Sequence, residues 1–299
     1  MRQLRHITQV ADLSELEVED IFARARLAQT RVEPTARPLI VGLVFFASST
    51  RTRFGFAAAT ARLRGQPLMV SGVRPTGEGL PPESEADTIR IISGMSDLLI
   101  CRPTFGADLA DLLEAGCCPI VNGGDAHEHP TQALIDRFAI ETMVGPLSGL
   151  HIGISGDLRT RTTRSMLQLL RLTPPRELSL FAPPGREVHS SELPAELVNR
   201  TTHHISPEFA GLDVLLLPGL APDQAKPLAD DAHLRWGFSP ISAPSLPSDA
   251  VVLSPGPVID EIDPSSVDDP RVRVFEQSDL GVAVRVGFLQ WLLESDIYQ

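Results

Sequence analysis

Lysine is almost missing from this chain. Its 299 residues include 26 basic side chains, yet Lys226 is the only lysine, so every other fixed cation is an arginine. A step that needs an ammonium therefore has one candidate within the chain. Positive balance is missing as well: 38 acidic residues leave a formal net charge of -12. That excludes a general binder of nucleic acid or of anionic membrane, since both need a broadly cationic face, and any anion must be held locally. Cysteine is scarce and odd in number, with three residues that do not form a disulfide framework. Cys101, after Leu98-Leu99-Ile100, and Cys117-Cys118, before Pro119-Ile120-Val121, read as buried thiols. No apolar run approaches the ~18 residues of a membrane span, and Met1 to Asp20 hold no apolar stretch of signal-peptide length, so a cytoplasmic protein is expected.

What is present is a globular composition, 42% hydrophobic and 21% charged, with length enough for two domains. Apolar runs of strand length alternate with segments of helical period, the pattern of α/β folds with mainly parallel sheets. Strands are predicted at Leu39–Phe46, Asp97–Arg102, Pro119–Asn122, His151–Ser155, Leu178–Ala182, Asp213–Leu217 and Val251–Ser254. The first helix is announced by the capping-box pair Ser14 and Glu17 ahead of Val18, Ile21, Phe22 and Ala25. Others are predicted from Ser49 to Gly65, Glu85 to Met95, Gly106 to Gly116, Thr131 to Met143, Arg161 to Leu172 and Val284 to Leu293. Gly145–Gly149 reads as a linker, and Phe238–Ser248, rich in Pro and Ser, as a long surface loop. The predicted domains are 1–145, with the C-terminal helix 284–299 packing back on it, and 150–283.

Two segments carry chemistry. Phe45-Phe46-Ala47-Ser48-Ser49-Thr50-Arg51-Thr52-Arg53 ends a buried strand and opens a helix with hydroxyls and guanidinium groups. This is an anion-site composition, because free N–H groups and the positive end of the helix dipole point outward and arginine adds a bidentate fork. Taken singly, it also suits a Ser/Thr cap with surface arginines. Ala126 to Leu134 follows the turn residues Asn122-Gly123-Gly124-Asp125 and sets His129 before Pro130, with Gln132 at a helix start. An imidazole and a carboxamide so placed can polarise a carbonyl oxygen and orient an amide. His127-x-His129 and the pair His203-His204 find no matching ligand cluster, so no metal and no organic cofactor are expected.

At this point the residues resemble the aspartate and ornithine carbamoyltransferase family, the aspartate branch more than the ornithine branch. Ser49 to Arg53 match its Ser-Thr-Arg-Thr-Arg motif, and His129 to Leu134 its His-Pro-Thr-Gln-Ala-Leu motif. Agreement extends through Glu83 with Ala86-Asp87-Thr88, Arg102, Gly156-Asp157-Leu158-Arg159, Asp260-Glu261-Ile262 and Gly281 to Arg285. The resemblance implies two three-layer α/β domains with mainly parallel sheets and a trimer with sites between subunits. It also implies transfer of the carbamoyl group of carbamoyl phosphate to a small amine. Ser49, Thr50, Arg51, Thr52 and Arg102 would hold the phosphate. Thr52, Arg102 and His129 would face the carbonyl oxygen, while Gln132 and the backbone of Pro255 and Gly256 would meet the carbamoyl NH₂.

The acceptor half departs from the family pattern. The loop that should read Ser-Leu-Gly-Lys-Lys-Gly-Glu carries Gly77, Leu80 and Pro81 at its serine and lysine positions, with Arg74 upstream. Arg161 matches the arginine for the acceptor's α-carboxylate if one residue is deleted, with Arg159 and Arg164 as competing neighbours. Pro218-Gly219-Leu220-Ala221 replaces an Arg-x-Gln that reads the second carboxylate, and Val258 replaces the arginine of Pro-Leu-Pro-Arg. Since a buried carboxylate needs a cationic partner, an acceptor other than aspartate is expected. The alternative is an inactive homologue with a structural or regulatory role.

Overall fold

The computed structural model describes residues 4–35, 38–70, 83–220 and 231–294. Gly77, Leu80, Pro81, Arg74, Ala221 and Lys226, all of which bear on the reading above, lie outside the described residues. The chain divides into two compact units, Met1–Thr131 with Ser278–Gln299, and Gln132–Gln277.

The first unit is built on four parallel strands in the order β2-β1-β3-β4, where β1 is Ile40–Phe45, β2 Gln66–Val70, β3 Leu98–Arg102 and β4 Ile120–Asn122. β1 and β3 are continuous apolar runs because both faces of a parallel sheet are covered, and every residue of β3 is buried. Helix α1 (Glu15–Ala28) starts at the predicted capping box: the Ser14 hydroxyl accepts from Glu17 N at 3.4 Å, and the Glu17 carboxylate accepts from Ser14 N at 2.9 Å. Helix α2 (Arg51–Arg62) links β1 to β2, and α3 (Glu85–Ser93) precedes β3. Val44, Ile89, Leu99, Cys101 and Ile120 pack in one core cluster.

The second unit carries five parallel strands in the order β7-β6-β5-β8-β9. Here β5 is His151–Gly156, β6 Glu177–Phe181, β7 Thr201–His204, β8 Val214–Gly219 and β9 Val251–Leu253. Helices α4 (Pro130–Met143), α5 (Arg161–Leu172), α6 (Ala195–Val198) and α7 (Ala232–Trp236) fall between strands, and α8 (Val274–Glu294), which from Ser278 on belongs to the first unit, follows β9. Thr160 caps α5 by accepting from Thr163 N at 3.3 Å. Phe181, Phe209, Leu215, Trp236, Phe238 and Val252 belong to one core cluster.

Several expectations need correction. Gly106 to Gly116 is not an α-helix; only Ala110–Ala115 coil, as a 3₁₀ segment. Local carboxylates take the amides there, Asp108 from Ala110 N at 2.8 Å and Asp125 from Leu109 N at 3.3 Å, and compete with helical bonding. The final helix begins at Val274 rather than Val284, because Glu276-Gln277-Ser278-Asp279 interrupts the apolar period of its first turns. Phe238–Ser248 is not a purely surface loop: Phe238 is fully buried, and the buried Ser242 hydroxyl donates to Gly237 O at 2.7 Å and accepts from Ser239 N at 3.0 Å. Cys101 and Cys118 are buried, and burial pushes the Cys118 thiol up to about 12. Cys117 is exposed, with an Arg90 guanidinium nitrogen 2.6 Å from its sulfur.

His204 illustrates how burial couples to pH. Its ring stacks on Phe181 at 4.4 Å, and its Nε2 lies 3.0 Å from the Ser179 hydroxyl. Desolvation, then the neighbouring His151 and His203, hold its pKa below the ordinary histidine value, with Glu208 opposing. The folded chain thus favours the neutral ring, so stability is full above the unfolded value of about 6.5 and is lost as pH falls toward the depressed folded value. His204→Phe is expected to flatten the fall of melting temperature between about pH 7 and 5. An unchanged slope contradicts the assignment.

Candidate active site

In open parallel sheets, ligands bind outside the carboxyl ends of the strands where successive crossovers depart in opposite directions. In the first unit that point lies between β1 and β3, since β2 and β4 flank them on either side. The residues reached there are Ser48 to Thr52 after β1 and Arg102 at the end of β3. Arg102 is 8% exposed and spreads its guanidinium across three segments. Its Nε donates to Gly123 O at 2.8 Å, Nη1 to Ser48 O at 3.2 Å and Nη2 to Thr52 Oγ1 at 3.3 Å. The same Nη2 lies 3.2 Å from His129 Nε2, and Thr52 Oγ1 lies 3.1 Å from that nitrogen. The Phe45 ring backs the cation at 5.7 Å. A guanidinium has no lone pair, so the His129 nitrogen facing it is the accepting one, and Nδ1 turns toward Thr131 Oγ1 at 3.4 Å.

Gly124 makes this cluster possible. Its φ is +106°, and a Cβ there would lie 2.7 Å from His129 Cδ2 and 2.9 Å from Arg102 Nη2. The opening of α2 is equally specific. Thr50 occupies the cap position in a helical conformation and its hydroxyl makes no capping bond, so the first amides of α2 are not covered by it. Ser49 is half-buried there, while Thr50 and Arg51 are exposed.

In the second unit the crossover direction reverses between β5 and β8. Gly156 and Gly219 meet at their ends: Asp157 N donates to Gly219 O at 2.8 Å, and a Cβ on Gly156, whose φ is +134°, would stand 2.7 Å from that carbonyl. Asp157 is buried and accepts twice from Arg159, at 2.9 and 2.8 Å, with Arg186 Nε at 3.4 Å. Arg159 is thereby engaged with Asp157, while Arg161 stands half-buried in the first turn of α5.

The turn after β9 is pinned by one carboxylate. Glu261 Oε1 accepts from Ser254 Oγ at 2.7 Å, and Oε2 accepts from Ile259 N and Asp260 N at 2.9 and 3.2 Å. Gly256 N donates to Ser254 Oγ at 2.9 Å, and the Gly256–Pro257 peptide is cis. Burial, then the Glu261 charge, raises the Asp260 pKa above the ordinary carboxylate value. Gln132, buried in the first turn of α4, donates to Asp136 Oδ1 at 2.7 Å, and Gln277 donates to the same oxygen at 2.6 Å.

Of the residues picked from sequence, Thr52, Arg102 and His129 are brought into direct contact. Gln132 and the Pro255-Gly256 turn are held by separate bonds in the second unit. Asp136, Gln277 and Glu261 were not picked as site components: Asp136 sits inside a helical pattern, Gln277 ahead of the predicted final helix, and Glu261 in a turn noted only as part of a motif match, and none carries a local signal of its hydrogen-bonding role. His127 is exposed, with Nε2 3.6 Å from Asp108. Among the described residues no cluster of three or more His, Cys, Asp or Glu could hold a metal, and no helix is long and apolar enough to cross a membrane.

A model of the aspartate/ornithine carbamoyltransferase carbamoyl-P binding domain matches residues 5–142. The aspartate carbamoyltransferase catalytic subunit of Methanospirillum hungatei is 35% identical over 302 residues, covering 96% of this chain and 98% of its own. A crystal structure of aspartate transcarbamoylase from Trypanosoma cruzi in complex with carbamoyl aspartate and phosphate superposes with a TM-score of 0.85 at 27% identity, covering 97% of this chain and 96% of that one. The catalytic subunit of M. jannaschii aspartate transcarbamoylase gives a TM-score of 0.81 at 26% identity, covering 98% of this chain and 99% of that one. The chain therefore belongs to the aspartate/ornithine carbamoyltransferase family, a family of enzymes.

Arg102→Met removes the donor to two carbonyls and is expected to lower stability by roughly 2–4 kcal/mol, whereas Arg51→Ala, at an exposed position, changes it by less than about 0.5 kcal/mol. Urea unfolding of both variants checks this, and equal losses contradict the buried cluster.

Proposed function

We propose that the chain transfers the carbamoyl group of carbamoyl phosphate to the amine of a small acceptor. The observation that carries this reading is the Thr52–Arg102–His129 contact at the carboxyl ends of β1 and β3. Carbamoyl phosphate brings a phosphate dianion and a carbonyl oxygen that becomes an oxyanion as the amine attacks. Ser49, Thr50, Arg51, Thr52 and Arg102 take the phosphate with hydroxyls, guanidinium forks and the first amides of α2. Thr52, Arg102 and His129 serve the carbonyl oxygen. Arg102 and Thr52 donate directly, while His129 donates only once its proton stands on Nε2, the nitrogen that now faces Arg102. Such donors act on the charge that develops, and loss of one typically costs on the order of 10²- to 10³-fold in rate. Gln132 and the carbonyls of Pro255 and Gly256 take the NH₂, and Arg161 takes a carboxylate of the acceptor.

The acceptor is a separate matter. The relatives are named for aspartate, which makes aspartate the first compound to test. Against it stand Pro218-Gly219-Leu220-Ala221, where the family pattern has Arg-x-Gln, and Val258, where it has an arginine. Among the described residues, the charged group nearest to a side chain at 219 is an acid, with the Glu261 carboxylate 3.7 Å from where its Cβ would be. A second carboxylate there would meet like charge, so the reading favours an acceptor without aspartate's side-chain acid. The homotrimer of the family is carried over with it; exposed Leu68 and Met69 on the edge strand β2 are apolar surface consistent with a partner.

Phosphate release is to be followed with carbamoyl phosphate over a panel of amines that includes aspartate, ornithine and neutral amino acids. Turnover with a neutral or cationic acceptor at least about tenfold above that with aspartate is expected, since an unpaired buried carboxylate costs more than the 1.4 kcal/mol of one decade. Arg51→Ala should lower the affinity for carbamoyl phosphate. Preferred turnover of aspartate would overturn the acceptor assignment, and silence across the panel would support an inactive homologue.

A further inference from the structure

One buried carboxylate sits between the two groups assigned to the carbamoyl NH₂. Asp136, 1% exposed, accepts on its Oδ1 from Gln132 Nε2 at 2.7 Å and from Gln277 Nε2 at 2.6 Å. A carboxylate in its ionised form accepts only, so each amide must turn its nitrogen toward Asp136 and its oxygen away. The oxygen of Gln277 is then used: it accepts from Ser254 N at 3.1 Å. Ser254 leads directly into Pro255 and Gly256, and its hydroxyl joins Gly256 N at 2.9 Å to Glu261 Oε1 at 2.7 Å. Gln277 is 2% and Gln132 8% exposed, so water does little to stabilise the flipped orientation of either amide.

We propose that Asp136 and Gln277 are positioning residues that fix the acceptor face presented to the substrate NH₂, on Gln132 directly and on the Pro255–Gly256 turn through Ser254. This rests on the assignment of Gln132 and that turn to the NH₂. An amide side chain has two ends of similar shape and opposite hydrogen-bonding sense. A Gln132 turned the wrong way would present N–H to N–H, repelling the substrate group it should hold. Asp136 removes that possibility for Gln132 and, through Gln277, ties a backbone turn a long way along the chain to the same reference point. The consequence is selectivity for NH₂ over an isosteric group that cannot donate.

The test compares phosphonoacetamide with phosphonoacetone, which has a methyl in place of the NH₂, by calorimetry on the full chain. Inorganic phosphate serves as a probe of the phosphate cradle alone. The unaltered protein is expected to prefer the amide by about tenfold or more, and Asp136→Ala and Gln277→Leu each to remove most of that preference, as loss of hydrogen bonds to a properly presented acceptor does. Binding of phosphonoacetone and of phosphate should stay within about twofold, a pattern that general loss of structure does not produce. Gln277→Leu carries the test if Asp136→Ala does not fold. A preference retained in Gln277→Leu and in any folded Asp136→Ala, but lost in Gln132→Ala, overturns the positioning role and leaves the assignment of Gln132 standing. No preference in the unaltered protein, or one that survives Gln132→Ala, overturns that assignment and the positioning role with it.

Discussion

A guanidinium cannot be buried without acceptors arranged around its plane, and the first unit of this chain is arranged to supply them to Arg102. Its Nε, Nη1 and Nη2 each reach a different segment: the turn after β4, the loop after β1, and the first turn of α2 with His129. None of these segments is near Arg102 in sequence. Their convergence requires the register of three parallel strands, in which Phe45 pairs with Arg102 and Cys101 with Asn122. It also requires Gly124, because any side chain there meets the imidazole and the guanidinium. The cation is thus a structural fastener, and in the proposed function it also serves the incoming anion.

Each unit places its polar residues where its own sheet reverses crossover direction. In the first this is the end of β1 and β3, and in the second the end of β5 and β8. The two points differ in character. The first gathers hydroxyls, an arginine and the start of a helix. The second is dominated by satisfied acids: Asp157 held by Arg159 and Arg186, and Glu261 held by Ser254, Ile259 and Asp260. Arg159 and Arg186 are both turned to Asp157 there, which narrows what they can offer an acceptor. That asymmetry supports the reading of one half as closer to the family pattern than the other.

Much of this was legible in the sequence because its signals are local. The long buried strands β1, β3, β5 and β8 announce themselves as apolar runs, and Ser14 with Glu17 marks a helix start by side-chain reach alone. The hydroxyl and guanidinium cluster at Ser49 to Arg53 has the composition of an anion site, which sequence alone does not separate from a capped helix with surface arginines. What escaped was non-local or locally ambiguous. Strand β2 is an edge strand with Leu68 and Met69 exposed, and β7 reads Thr-Thr-His-His, so neither shows an apolar run. The segment before β4 looks helical by composition, yet Asp108 and Asp125 divert its amides. Asp136 looks like an ordinary helix residue and Gln277 falls ahead of the predicted final helix, and they acquire meaning only when they meet across 141 positions of chain.

If Thr52, Arg102 and His129 serve the carbonyl oxygen of carbamoyl phosphate, as proposed, the carbonyl carbon itself reports it. With ¹³C-labelled carbamoyl phosphate bound to the intact chain, the carbonyl resonance should move downfield, as donors draw electron density toward the oxygen, and the shift should shrink in Thr52→Val. A bound carbonyl resonating at its free position, or a shift indifferent to Thr52→Val, would contradict the account.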